Sequence, residues 1–177
     1  MKFVELLSRF GRSLACKRGE YLFRQGDENK NFYLIHSGLL KAYYQSEDGK
    51  ENIKSFLLAG DIIGSIKGFL GDHGCSFNLV CAEDAQLTEI DFDLIQNQSK
   101  NDLELANEII AFLLRFAMKK ETREYELLCL EPEARYRKLL ETSPNLIDKV
   151  TQNEIALFLG VTPVGLSRIK KRVQQNG

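Results

Sequence analysis

Residues Thr151 to Arg172, TQNEIALFLGVTPVGLSRIKKR, restrict the possible folds of this chain more than any other stretch. Two short helices that cross steeply need a small residue at the crossing, a turn residue between them and apolar groups facing inward. Counted from Gln152, the inward positions hold Ile155, Leu159, Val161, Leu166 and Ile169. Ala156 falls where the helices touch, and Gly160 falls at the turn, where positive φ costs little without a Cβ. Thr151 with Glu154 forms a capping box, and Thr162 followed by Pro163 is an N-cap with proline at the first helical position. Caps of this kind contribute about 1 kcal/mol each. The coincidence of start, stop and turn signals predicts a helix-turn-helix; the plainer alternative is a helical hairpin with cations at its exposed end.

Four cations, Arg168, Lys170, Lys171 and Arg172, crowd the end of the second helix. In a major groove that helix would present Thr162, Pro163, Val164, Gly165, Ser167, Arg168 and Lys171. The Arg168 guanidinium matches the two acceptors of a guanine edge, whereas Lys170, Lys171 and Arg172 suit phosphates, which give affinity without sequence information. Thr162 is placed to donate to a phosphate at the helix start. Val164 and Gly165 carry no hydrogen-bonding side chain, so readout by one protomer is sparse and favours a dimer on a two-fold site. The charge distribution agrees. Across the chain 24 basic residues face 25 acidic ones, but residues 1–134 carry 16 basic against 22 acidic and residues 135–177 carry 8 against 3. An acidic body with a basic end implies different partners for the two halves.

With 177 residues and 44% hydrophobic content, the chain can bury one ordinary core and a small second one. No apolar run reaches the roughly 18 residues that span a bilayer. The start, MKFVELLSRFGRS, reads as an amphipathic helix and not as a signal peptide, so cytoplasm is expected, with no membrane partner. Cys16, Cys75, Cys81 and Cys129 form no C-x-x-C pair and have no histidines beside them, so no metal site is expected. They read as buried thiols in a reducing compartment, or, for Cys75 and Cys81, as candidate sensing thiols.

Between Leu14 and Ile90 the chain breaks into β-like runs, among them EYLFRQ, NFYLIHS, LLKAYYQS, ENIKSFLL, SFNLVCA and AQLTEID, divided by GD, SG, EDG and ED turns. That spacing predicts an antiparallel β-roll. Asp91 reads as the cap of a short helix, FDLIQNQ, and residues 101–130 as a long helix ended by Pro132. The long helix has two apolar stripes. Leu103, Ala106, Ile110, Leu113 and Ala117 form one; Leu105, Ile109, Phe112 and Phe116 form the other. A surface helix needs a single apolar face. The second is covered either within its own domain or, with one stripe packed on the roll, by the same helix of a second copy, and Leu103, Ala106, Ile110, Leu113 and Ala117 are the expected dimer face.

The fold class expected is α+β: an N-terminal antiparallel β-roll of double-stranded β-helix, jelly-roll-like form (residues 1–100), a long dimerisation helix (101–131) and an all-α helix-turn-helix domain (132–177) without a clear wing. This order resembles the Crp/Fnr family of bacterial transcription regulators. The resemblance covers nearly the whole chain, and its most specific carriers are FLLAGDIIGSIKGFL at Phe56 to Leu70 and EIALFLGVTPVGLSRIKKR at Glu154 to Arg172. It implies a roll that binds an effector, paired long helices, DNA-binding domains reoriented by the effector, and RNA polymerase as a partner. Family members that bind cyclic nucleotides have Gly-Glu after this turn, the acid holding the ribose hydroxyl, and an Arg-Ser or Arg-Thr pair some ten residues on that holds the phosphate. Here Gly64 is followed by Ser65, and Cys75 with Ser76 stands where the arginine pair would lie. A buried phosphate without its cation is desolvated with little return.

These four residues, Gly64, Ser65, Cys75 and Ser76, are the expected effector pocket, for an unidentified small molecule and not for cAMP held in the usual manner. No cofactor is indicated. The oxygen-sensing branch uses a cysteine cluster near the amino terminus, where this chain has Cys16 alone. The cAMP receptor protein starts its recognition helix with a base-reading arginine and glutamate; Pro163 and Val164 occupy those places, so a different target sequence is expected. The chain's stop at Gly177 leaves little length for a wing, and fewer phosphate contacts would lower the salt slope. Two further functions compete with a homodimeric regulator. One is a small-molecule or redox sensing module with weak DNA binding. The other is an enzyme on the roll, for which His36 and His73 are the only histidines and form no ligand cluster.

Overall fold

Eight short strands pair into two antiparallel four-stranded sheets in this computed structural model, which describes residues 3–71 and 73–175. After helix α1 (Phe3–Phe10), the chain forms β1 (Arg12–Cys16), β2 (Tyr21–Phe23), β3 (Asn31–Ser37), β4 (Leu40–Gln45), β5 (Glu51–Leu57) and β6 (Ile62–Ile63). Helix α2 (Ile66–Leu70), strands β7 (Asn78–Cys81) and β8 (Ala85–Asp91), and helix α3 (Phe92–Ser99) follow. One sheet has the order β1-β8-β3-β6 and the other β2-β7-β4-β5, so the chain passes repeatedly from sheet to sheet, as in a jelly roll. Alternation places the core: Phe32 faces Ile90 and Ile35 faces Leu87 across β3 and β8, all four buried. Two strands fell outside the runs picked out by pattern. β1 buries little beyond Cys16, and β6 has two residues, too few for a period to register.

The run at Phe56 to Leu70 accordingly divides into the end of β5, a turn, β6 and α2. Asp91 caps α3 by accepting from the Leu94 N–H at 3.0 Å. Helix α4 (Leu103–Cys129) then runs 27 residues, followed by α5 (Pro132–Thr142), α6 (Pro144–Ile147), α7 (Gln152–Leu159) and α8 (Pro163–Gln175). The residues divide into two compact units between Leu113 and Leu114, so α4 contributes its first turns to the roll unit and the rest to the helical unit.

The stripe of α4 that packs on the roll is the one begun by Leu105. Leu105 is fully buried in a cluster with Phe3, Leu6, Leu7, Phe32, Phe69, Ile90 and Ile95, and Ile109 and Phe112 pack against it. The rings mesh: Phe3 and Phe112 lie 5.7 Å apart, Phe32 and Phe69 4.3 Å, and Phe69 stacks on Phe92 at 4.7 Å. Burying each such side chain is worth about 1.5–3 kcal/mol. The other stripe is largely left open by the described residues. Leu103 is 77% exposed, Ile110 54% and Leu113 43%, with Ala117 exposed and Ala106 half-buried. It also runs on past Ala117 through Met118, Tyr125 and Leu128, all exposed. None of the helices, over the described residues, is long and apolar enough to cross a membrane.

Candidate nucleic-acid interface

Helix α7 starts at a complete capping box. Thr151 Oγ1 accepts from the Glu154 N–H at 3.2 Å, and the Glu154 carboxylate accepts from the Thr151 N–H at 3.0 Å. It ends at Gly160, whose φ of 68° turns the chain left-handed while the Gly160 and Val161 N–H groups close onto the Leu157 and Ala156 carbonyls. Thr162 then opens α8, its Oγ1 accepting from the Gly165 N–H at 3.1 Å. Ile155, Ala156, Leu159, Leu166 and Ile169 are all buried to 3% exposure or less, with Ala156 at 0% where α7 meets α8. Val161 is half-buried at the turn instead of lying in the core. Helices α5 and α6 supply the remaining support through Tyr136, Leu139, Leu146 and, just beyond them, Val150.

The opposite side of α8 faces solvent. Thr162, Pro163, Val164, Ser167, Arg168, Lys171 and Arg172 are exposed, Val164 to 63%, and Lys170 is half-buried. The four cations differ in their tethering. Lys170 Nζ donates to Gln152 Oε1 at 2.8 Å, and Arg172 Nε donates to Glu133 Oε2 at 3.0 Å, a carboxylate that Arg137 also engages. Arg168 and Lys171 have no ion pair among the described residues. An open groove along α8 is lined by Gln152, Pro163, Leu166, Ser167, Lys170, Lys171 and Gln174. Gln152 and Gln174 were not among the residues expected from sequence. Helical spacing could have found Gln174, three and four positions after Lys171 and Lys170, whereas Gln152 joins the groove only because α7 and α8 cross.

In the roll, Gly64, Ser65, Cys75 and Ser76 do come together, but the Ser65 hydroxyl and the Cys75 thiol bond to the protein. Ser65 is fully buried as the N-cap of α2, its Oγ accepting from the Gly68 N–H at 3.3 Å and the Ser76 N–H at 3.2 Å. Cys75 is 2% exposed, its thiol 3.8 Å from the Asn29 carbonyl, and burial pushes its pKa up. A Cβ on Gly64 would lie 2.4 Å from the Phe69 ring, so phenylalanine packing fills the space beside it. Lys67 and His73 are exposed. Ser65 and Cys75 stand at the two positions where the family resemblance places the ribose-holding acid and the phosphate-holding arginine.

Residues 14–102 match the cyclic nucleotide-binding domain family. The chain is 28% identical to the electron transport regulator A of Shewanella oneidensis, over 94% of this chain and 70% of that protein. It is 27% identical to the transcriptional activator protein Anr of Pseudomonas protegens, over 99% of this chain and 75% of that one. Among solved structures, FixK2 of Bradyrhizobium japonicum superposes with a TM-score of 0.81 at 16% identity, covering 94% of this chain and 86% of its own. The chain belongs to the Crp/Fnr family. Three of the four thiols, Cys16, Cys75 and Cys81, are buried. Burial pushes Cys81 up to about 12, and Cys16, hydrogen-bonded to it, is also raised, so both stay protonated at neutral pH. Cys129 is the exposed one. Among the described residues, no group of three or more His, Cys, Asp or Glu side chains is arranged to hold a metal.

Proposed function

We infer that this Crp/Fnr protein is a homodimeric, sequence-specific transcription regulator of the cytoplasm, which binds double-stranded DNA through α8 and acts with RNA polymerase. The observation that carries the reading is α8 itself: capped at its start, anchored by Leu166 and Ile169, and exposed along Thr162, Pro163, Val164, Ser167, Arg168 and Lys171. Arg168 reads a base edge, Lys171 neutralises phosphate, and Lys170 and Arg172 add positive potential from tethered positions. The uncovered stripe of Leu103, Ala106, Ile110, Leu113 and Ala117 pairs with a second copy. Pairing sets two recognition helices about one DNA turn, roughly 34 Å, apart. We assign the chain no enzymatic activity.

A selection of genomic fragments with purified protein tests this reading: it fails if no fragment is bound more tightly than random duplex at moderate salt. On a recovered duplex, Arg168→Ala is expected to cost about 1–3 kcal/mol and to relax specificity at one base pair per half-site. Lys171→Ala should instead weaken all duplexes alike and reduce the log-log salt slope by about 0.9 per phosphate lost. Fluorescence anisotropy across a salt series separates the two.

The roll's effector, in this reading, is a small molecule other than cAMP held in the usual manner. Ser65 is committed to capping α2, and Cys75 stands where the resemblance places the phosphate-holding arginine. Millimolar cAMP should leave the melting temperature unmoved, since a ligand at a hundred times its Kd adds about 2.7 kcal/mol and shifts it by several degrees. A shift of that size would return the roll to the cyclic-nucleotide binders.

A further inference from the structure

Three of the carbonyls that close α7 find partners outside the helix, and one partner comes from far away in sequence. The last C=O groups of a helix have no partner inside it. Those of Ala156 and Leu157 accept from the turn that follows. That of Phe158 accepts from the guanidinium of Arg123, on the C-terminal part of α4. The same guanidinium lies 3.9 Å from the centroid of the Phe158 ring, so a single side chain holds both backbone and ring of one residue. A cation at this end also opposes the negative pole of the α7 dipole.

Arg123 is itself held. Its Nη1 is 3.9 Å from Glu126, whose other oxygen is 2.7 Å from Lys138 Nζ on α5. A second guanidinium fixes the end of α4, where Arg135 Nη1 donates to the Leu130, Leu127 and Glu126 carbonyls at 2.8, 3.2 and 3.4 Å. Arg123 retains 18% of its side-chain exposure, Glu126 16%. Such a shielded, forked contact holds direction as well as distance, which a lysine would not reproduce.

We propose that Arg123 is a positioning residue for DNA recognition: by clamping the Phe158 ring and carbonyl it sets the direction in which α7, and α8 packed on it, leave the end of α4. It touches no DNA in this role, and the role rests on the DNA-binding reading above. Losing the clamp leaves α8 with all its cations but with a spread of approach angles. Binding that requires both recognition helices of a dimer in register then suffers, while attraction to any phosphate backbone does not.

The test compares wild type, Arg123→Lys and Arg123→Met on the duplex recovered by wild type and on random duplex of the same length, each across a salt series. Arg123→Met is expected to bind the recovered duplex at least about tenfold more weakly and Arg123→Lys about three- to tenfold more weakly. Affinity for random duplex and its salt slope should stay at wild-type values in both. If Arg123→Met fails to fold, Arg123→Lys decides. Wild-type discrimination in the folded variants overturns the proposal. So does an equal loss on both duplexes, which marks a purely structural role, or one accompanied by a slope change of about 0.9, which marks a phosphate contact. A wild-type protein that discriminates no duplex overturns the DNA-binding reading itself, and the Arg123 role falls with it.

Discussion

Ile110→Asp should turn the protein into a monomer of 20.2 kDa, read by sedimentation or light scattering, against a wild-type particle of about twice that mass. Ile110 lies mid-way along the uncovered stripe and is 54% exposed in the single chain, so the substitution leaves the protomer's own core intact. Across a two-fold seam each new carboxylate would face the apolar residues of the partner helix and its own symmetry mate. A carboxylate buried at such a seam without a cation costs about 3–5 kcal/mol. Affinity for a two-fold DNA site should fall by about 10²–10⁴, because the second recognition helix is no longer delivered at high effective concentration. Persistence of the dimer would show that the stripe is covered by something else.

Gly38→Ala should destabilise the roll by about 3–5 kcal/mol, measured by urea unfolding, a loss large enough to empty the folded state of a marginal domain. Gly38 sits between β3 and β4 with φ of 91°, a region L-residues rarely adopt. A Cβ there would lie 2.3 Å from the Asp84 carbonyl and 2.8 Å from the Ala85 Cα, backbone atoms of the turn into β8 that cannot swing aside. Gly38→Asn separates the two contributions. Asparagine tolerates the left-handed region, so if φ alone were at fault it would recover most of the stability; the collision with Asp84 predicts that it does not. An alanine variant within about 1 kcal/mol of wild type would mean that the β7–β8 turn yields.

Gly38 illustrates the boundary between what pattern reveals and what it hides. The Ser-Gly pair marks a turn in the sequence, but the reason no other residue fits is a carbonyl 46 positions away, brought there by the pairing of β3 with β8. The roll as a class was legible from its punctuated runs. β1 and β6 were not, because one is mostly exposed and the other has two residues. In the expected effector segment, proximity of Ser65, Cys75 and Ser76 followed from the family's motif spacing. That Ser65 would spend its oxygen on the Gly68 and Ser76 amides did not, since those bonds exist only once α2 has folded against the following loop.

On α8, sequence weighed Lys170, Lys171 and Arg172 alike as phosphate groups. The structure distinguishes them, because Gln152 and Glu133 reach two of the three from other helices.

The sequence by itself determined the helix-turn-helix, down to its capping box, its left-handed glycine and the alanine at its crossing, because each of those signals acts within four residues along the chain. It also determined that α4 carries two apolar faces. Only the tertiary structure supplies the physical reason for the face that packs on the roll, since the aromatic cluster of Phe3, Phe32 and Phe69 takes Leu105, Ile109 and Phe112 in place of Leu103, Ile110 and Leu113. It likewise decided that Arg123 reaches the end of α7, 35 residues on. Helical periodicity reports on neighbours one turn apart. A guanidinium that answers a distant helix's unpaired carbonyl leaves no periodic trace, and its partner appears only when the two helices are packed.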